Sequence, residues 1–125
     1  MLDTPTDREE RNGPAAAEIS NRIVRVMREA LGRGPTRART TIAKNLVVVV
    51  LQDTLSKAEK SLVADGRSGM VIDIRRTYQA TLREEFVNVV EEVLERKVMA
   101  FMSDHHIDPD VAVEVFVMTD GEEGG

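Results

Sequence analysis

Residues 46–51 (LVVVVL) are the segment that most constrains how this chain can fold. The run is apolar on both sides of an extended chain and β-branched through its centre, which favours a strand inside a sheet with both faces covered. It is six residues long, far short of the roughly 20 that a helix needs to cross a bilayer. The segment therefore predicts a central, covered strand and excludes a membrane span at this position.

Helical periodicity predicts three helices around this strand. The first has an apolar face between Pro14, which suits a first helical position, and Gly32, which suits the position after a helix end. The second opens with Ser56 and Glu59 at capping-box spacing. The third carries a nearly continuous apolar stripe. The predicted helices are residues 15–31, 56–65 and 68–96.

Alternating or continuous apolar patterns predict three further strands. The first of them is an edge strand with outward arginines, and a turn at Lys44 and Asn45 can connect it to the central strand. The last two form a hairpin around a polar loop, residues 103–110. The predicted strands are residues 36–42, 98–102 and 111–118. The order implies an α+β fold: a four-stranded, mainly antiparallel sheet of two strand pairs, covered by an N-terminal helix, a short helix and one long helix.

The 125 residues support one domain, which we place at residues 15–118. Residues 1–14 and the acidic residues 119–125 are predicted to be flexible tails, and the first lacks the pattern of a secretory signal. The chain has no cysteine, so disulfides and thiolate metal sites are excluded. A cytoplasmic location fits this composition.

Charge is divided unevenly along a core that is neutral overall. Residues 15–44 hold seven bases and two acids, whereas residues 81–118 hold three bases and nine acids. The two ends could neutralise each other within one fold, or they could steer one copy onto another. Because the central strand and residues 98–102 are apolar on both faces, a second covering layer is needed. Either the short helix or a second copy could supply it, and we expect a homodimer or larger homo-oligomer.

A cluster of possible metal ligands lies in the predicted loop. Asp104, His105, His106 and Asp108 carry the carboxylate and imidazole groups that zinc, manganese or iron bind. Adjacent side chains of an extended segment point in opposite directions, however, and Pro109 with its flanking aspartates is typical of a turn. We therefore expect no cofactor, and keep a divalent metal site as an alternative.

A second candidate site follows the first helix. Arg33, Thr36, Arg37 and Arg39 could bind a small anion through guanidinium groups, although the segment lacks the ending of a phosphate-binding loop. The alternative interpretation is a solvated turn with a charged edge strand. Nucleic-acid binding through the arginines is a further alternative, although the neutral core and scarcity of aromatic residues disfavour it. The serines and histidines form no recognisable catalytic motif, so we expect no enzymatic activity.

Several motifs in fixed order resemble the MpsC-like family, over roughly residues 18–118. They are GRGPTRART (32–40), LVVVVLQDTLSKAEKSL (46–62), RRTYQ (75–79), REEF (83–86) and SDHHIDPDVAVEVF (103–116). The polar residues that match these motifs are Arg33, Thr36, Arg37, Asp53, Lys57, Asp104, His105, His106 and Asp108.

The resemblance implies a role in a sodium-translocating, membrane-potential-generating system. It supplies no catalytic residues. Combined with the absence of a spanning segment in the sequence, it implies a soluble, non-enzymatic accessory or regulatory protein for sodium or inorganic-carbon transport. A membrane transport subunit is then an expected partner, and direct membrane insertion is not expected.

Overall fold

A computed structural model describes residues 5–120 of the chain, with side chains from residue 12 onward. Three helices and one four-stranded sheet make up an α+β fold, as predicted. The elements in chain order are α1 (Pro5–Leu31), β1 (Arg37–Ala43), β2 (Leu46–Gln52), α2 (Lys57–Ala64), α3 (Ser68–Leu94), β3 (Val98–His106) and β4 (Val111–Met118).

The sheet has the order β1-β2-β4-β3, and every neighbouring pair is antiparallel. The apolar run of residues 46–51 is therefore interior, between β1 and β4, as its composition predicts. Helices α1 and α3 pack against each other and cover one face of the sheet. The core lies between, and its fully buried side chains include Ile19, Val49, Phe86 and Phe116.

The short and long helices begin where the sequence predicts. Ser56 caps α2, because its side chain accepts a hydrogen bond from the Glu59 backbone N–H while the Glu59 side chain accepts one from the Ser56 N–H. This reciprocal pair satisfies two backbone donors that a helix start leaves free. A sharp reversal at Gly66, where φ is +79°, then separates α2 from α3.

Helix α1 begins earlier than predicted. It starts at Pro5 rather than near Pro14, so residues 5–14 of the predicted tail belong to it, while residues 1–4 and 121–125 lie outside the described residues. Periodicity missed this part because it is polar, yet arginine and glutamate form helices readily without an apolar face. The Asn12 side chain donates to the Ile42 carbonyl at 3.4 Å, which ties this part of α1 to β1.

Strand β3 is longer than predicted. It continues through residues 103–106, which were expected to be loop, and pairs with β4 as far as His106 opposite Val111. Only residues 107–110 form the turn. Polar residues are compatible with β3 because it is an edge strand, with one face of its outer segment open to solvent.

The second face of the sheet, which we call the open face, lacks a helical layer among the described residues. It consists of the odd-numbered residues of β1 and β4 and the even-numbered residues of β2 and of β3 from Ala100 onward. Along β4, every residue on the helical side is buried, whereas every residue on the open face keeps part of its surface. Helix α2 packs against α3, so it does not supply the second covering layer.

Candidate functional site

Side chains from several elements of the fold converge on the connection between β2 and α2, residues 53–56. Asp53, Thr54 and Leu55 lie in it, and their backbone carbonyl oxygens take no part in the hydrogen bonding of a helix or of the sheet. Arg33 donates to the carbonyls of Asp53 and Leu55, at 3.0 Å each, and Arg75 donates to that of Thr54 at 2.7 Å. Arg33 of the α1–β1 loop and Arg75 of α3 thus provide hydrogen-bond donors to the backbone carbonyls of this connection.

Asp110 holds the same connection from the opposite side. Its carboxylate accepts hydrogen bonds from the Leu55 N–H at 2.8 Å and the Thr54 hydroxyl at 3.2 Å. The Nε2 atom of His105 lies 2.8 Å from the same carboxylate, and with its proton on Nε2 the imidazole donates to it. Burial opposes ionisation, but these donors outweigh it and hold the pKa of Asp110 below its usual value. Asp110 therefore joins the β3–β4 turn to the start of α2.

A buried ion pair links α2 to α3. Arg75 Nε donates to Glu59 at 2.9 Å, and both side chains are more than nine-tenths buried. Burial raises the pKa of Glu59, but the Arg75 guanidinium and the Ser56 N–H lower it by more, so the net pKa lies below the usual value. The same carboxylate serves the capping box of α2, so one side chain fixes both the helix start and its position on α3.

Glu114 is a further buried acid, and it takes no part in the hydrogen bonds described above. It lies on the helical side of β4, opposite Ser103 of β3. Burial raises the pKa of Glu114 to about 7, with only a small opposing effect of the Ser103 hydroxyl. Among the described residues, Glu114 Oε1 and Ser103 Oγ have no hydrogen-bond partner of proper geometry. Burial therefore favours the protonated form of Glu114 more than it does for an exposed glutamate.

A small cavity lies beside Glu114. Thr54, Arg75, Tyr78 and His105 also line it, and it measures about 20 Å³. That volume holds about one water molecule and no organic ligand. We call the side chains around this cavity and the connection the inner polar cluster. Its members are Thr54, Glu59, Arg75, His105, Asp110 and Glu114.

The four predicted anion-binding residues separate into two groups. Arg33 lies against the connection, and the Thr36 hydroxyl donates to the Asp53 carboxylate at 2.6 Å, so both residues hold the start of the connection. Arg37 and Arg39 are exposed on the open face of β1. Arg33 and Thr36 thus make contacts within the protein, whereas Arg37 and Arg39 lie exposed at an edge of the sheet.

The four predicted metal ligands do not converge. Strand alternation places Asp104 and His106 on the open face and His105 on the helical side, where it contacts Asp110. Asp108 lies in the turn, and His106 Nδ1 is 2.9 Å from the Pro109 carbonyl oxygen. Within residues 5–120 no group of three or more histidine or acidic side chains is arranged to hold a metal ion.

Sequence reasoning missed most of the inner polar cluster. The partner of Arg75 could not be read from local spacing, because Glu59 lies 16 positions away in the sequence. Asp110 was assigned to the predicted loop, with no expected contact to the start of α2. Glu114 did carry a usable signal, because it is the acid within an otherwise apolar alternating face of β4. A lone acid at such a position predicts a buried carboxyl group.

Comparisons with known proteins give one family. The family described as Na⁺-translocating membrane potential-generating system (MpsC) matches residues 11–120. A protein of Bacillus subtilis (strain 168) named uncharacterized protein YrhF is 30% identical over 102 residues, which are 80% of this chain and 84% of that protein. No solved structure matches the chain significantly. None of the helices within residues 5–120 has the length and hydropathy to cross a membrane.

Proposed function

Because the chain belongs to the MpsC family, we propose that it is a non-enzymatic accessory or regulatory protein for the membrane transport of sodium or inorganic carbon. The observation that carries the proposal is the family match over residues 11–120, whose description names a sodium-translocating system. In this role the protein acts in the cytoplasm, and its partner is a membrane transport subunit.

The arrangement of the inner polar cluster supports the non-enzymatic part of the proposal. Among its charged and titratable residues, His105, Arg75, Glu59 and Asp110 form hydrogen bonds with one another or with backbone groups of the connection. The cavity beside them holds about one water molecule. Acid–base catalysis needs a group within reach of a bound substrate. The cluster instead fixes the relative positions of α2, α3 and the β3–β4 turn.

Deletion of the gene in its host tests the transport role. We expect the deletion strain to show a lower membrane potential by a voltage-sensitive dye, and reduced growth at high sodium or at limiting inorganic carbon. The wild-type gene on a plasmid should restore all of these. Rescue of growth by added bicarbonate alone would assign the role to inorganic carbon rather than sodium. A deletion strain equal to its parent in every assay would contradict the proposal.

Replacing His105 tests the non-enzymatic part separately. In the His105→Gln variant the side-chain amide can still donate to Asp110, but it cannot transfer protons as an imidazole does. We expect this variant to complement the deletion as the wild type does, provided that its melting temperature is close to the wild-type value. A folded His105→Gln protein that fails to complement would show that the imidazole has a chemical role.

A further inference from the structure

The open face carries a continuous apolar strip. The odd-numbered valines of β4 form its middle, together with Val48 and Val50 of β2. Leu46 and Met102 on the same face are 39% and 52% exposed. Monomeric proteins rarely leave a strip of this kind in water, and such surfaces mark interfaces. The strip is thus a surface on which another molecule could pack.

The strand register arranges this face in rows across the sheet. One row reads Arg39, Val50, Val113 and Asp104, from β1 to β3. Arg37 lies two positions from Arg39 on the same face of β1. Positive charge therefore lies at the β1 edge and Asp104 at the β3 edge, with the valine strip between them. Arg39 and Asp104 are at the same height along the strands.

This charge pattern is complementary to itself under one symmetry operation. A two-fold axis parallel to the strands, midway between two facing sheets, places β1 of one copy over β3 of the other and keeps the height of every row. Arg39 of each copy then faces Asp104 of the other, and the valines face each other. A two-fold axis perpendicular to the strands would instead place β1 of one copy over β1 of the other, so Arg39 would not face Asp104. Where that axis passes at the height of Arg39, arginine would face arginine, which is repulsive.

We propose that a second copy of this chain covers the open face, related by a two-fold axis parallel to the strands, with Arg39 of each copy against Asp104 of the other. Four strands that share seven residues of length make a face of roughly 440 Å² in projection, from spacings of about 3.3 and 4.8 Å. A standard interface buries roughly 800 Å² per partner, so this projected face is about half of that before the relief of its side chains is counted. This dimer is independent of the transport role.

The first test is the assembly state of the full chain. Sedimentation equilibrium across micromolar concentrations should give a monomer–dimer equilibrium. A monomer at every concentration would overturn the proposal.

The second test locates the interface with two matched methionine variants. Met102→Glu adds a charge to the open face, and Met70→Glu adds one to α3, where the residue is similarly exposed (49% against 52%). Neither side chain is in the core, so both variants should fold, which circular dichroism checks. We expect Met102→Glu to weaken dimerisation at least about tenfold and Met70→Glu to leave it unchanged. A dimer that tolerates Met102→Glu uses another surface, such as the edge of β3, and refutes the proposal.

The third test determines the symmetry by charge reversal. Arg39→Asp alone and Asp104→Arg alone each turn two attractions per dimer into repulsions, so each should weaken self-association by about tenfold. The double variant Arg39→Asp/Asp104→Arg should restore it. With the perpendicular axis Arg39 and Asp104 would not face each other, so neither single variant would replace an attraction between them by a repulsion. Single variants with wild-type affinity would therefore overturn the proposed axis.

Mixing the two single variants adds an independent readout. In a heterodimer of Arg39→Asp with Asp104→Arg, both charge pairs are again attractive. We expect the mixture to form a heterodimer tighter than either homodimer, detectable by native mass spectrometry because the two chains differ in mass. A mixture that stays as weakly associated as its components would contradict the Arg39–Asp104 contact.

Discussion

The Glu114→Gln variant removes a carboxyl group that ionises less readily in the folded chain than in the unfolded chain. Glutamine keeps the size of the side chain but cannot ionise. Burial holds the pKa of Glu114 at about 7, against an ordinary value of 4.5 that applies after unfolding. Between these two values the folded chain keeps a proton that the unfolded chain has released. The free energy of unfolding of the wild type must therefore fall as pH rises through this window.

The magnitude follows from the two pKa values. Each unit of difference corresponds to about 1.4 kcal/mol, so at pH 8 the ionised carboxylate destabilises the folded wild type by about 3 kcal/mol. At pH 5 about 1 kcal/mol of this destabilisation is already present, so the difference between pH 5 and pH 8 is about 2.5 kcal/mol. His105, Arg75 and Tyr78 line the same cavity and are retained in both proteins, so their contributions largely cancel in the comparison. Glu114→Gln should accordingly gain stability relative to the wild type between pH 5 and pH 8.

Urea denaturation followed by circular dichroism at pH 5, 6, 7 and 8, with constant ionic strength and protein concentration, measures this difference. Glu85→Gln is the matched control, because Glu85 is an exposed acid on α3. We expect its unfolding free energy to follow the wild type at every pH. If Glu114→Gln showed the same pH dependence as the wild type, the carboxyl group would not be buried as described, and the reasoning would be refuted.

Three further predictions concern the other polar groups. Arg75→Met leaves Glu59 buried without its partner and should lower the unfolding free energy by about 3–5 kcal/mol in urea denaturation. Adding Glu59→Met should cost less than the sum of the single changes, whereas Arg67→Met at an exposed ion pair should have an effect below about 1 kcal/mol. Additive losses would contradict the pairing. Asp110→Asn should lower stability by about 2–3 kcal/mol at pH 7, since hydrogen bonds to a buried charge are lost. Because the pKa of Asp110 is lowered by folding, its contribution is lost as pH falls through the folded value, so wild type and variant should converge in acid. Calorimetric titration with Zn²⁺ should show no stoichiometric binding, and His106→Ala should match the wild type; one zinc per chain would contradict the separation of the predicted ligands.

Local patterns predicted most of the fold. The β-branched run of β2 and the alternation of β4 identify strands because side-chain burial follows the two-residue period of a sheet. Ser56 and Glu59 identify the start of α2 because a capping box is a contact within four residues. The same reasoning failed at α1, where residues 5–14 are helical without an apolar period, and at residues 103–106, where polar side chains occupy an edge strand.

The candidate site was harder to predict, because its contacts join distant parts of the chain. Asp110 meets Leu55 across 55 positions, and Arg75 meets Thr54 across 21. No local pattern in one sequence encodes such pairs. The motif Asp104–His105–His106 was prominent by composition, yet alternation along β3 sends its side chains to different faces of the sheet. The prediction therefore identified the residue types of a polar site correctly. Which of these residues contact each other could be learned only from the topology of the fold.

The strand order β1-β2-β4-β3 also sets how the chain can reach its folded state. The two outer pairs are hairpins between neighbouring strands, so each can form early from local contacts. The central β2–β4 pair joins them only after a segment of roughly 60 residues, including α2 and α3, has been closed into a loop. Closing that loop loses chain entropy before the central valines gain their contacts, which slows folding. Until that pair forms, β2 and β4 each lack a strand partner on one side, and unpaired apolar strand edges of this kind favour aggregation.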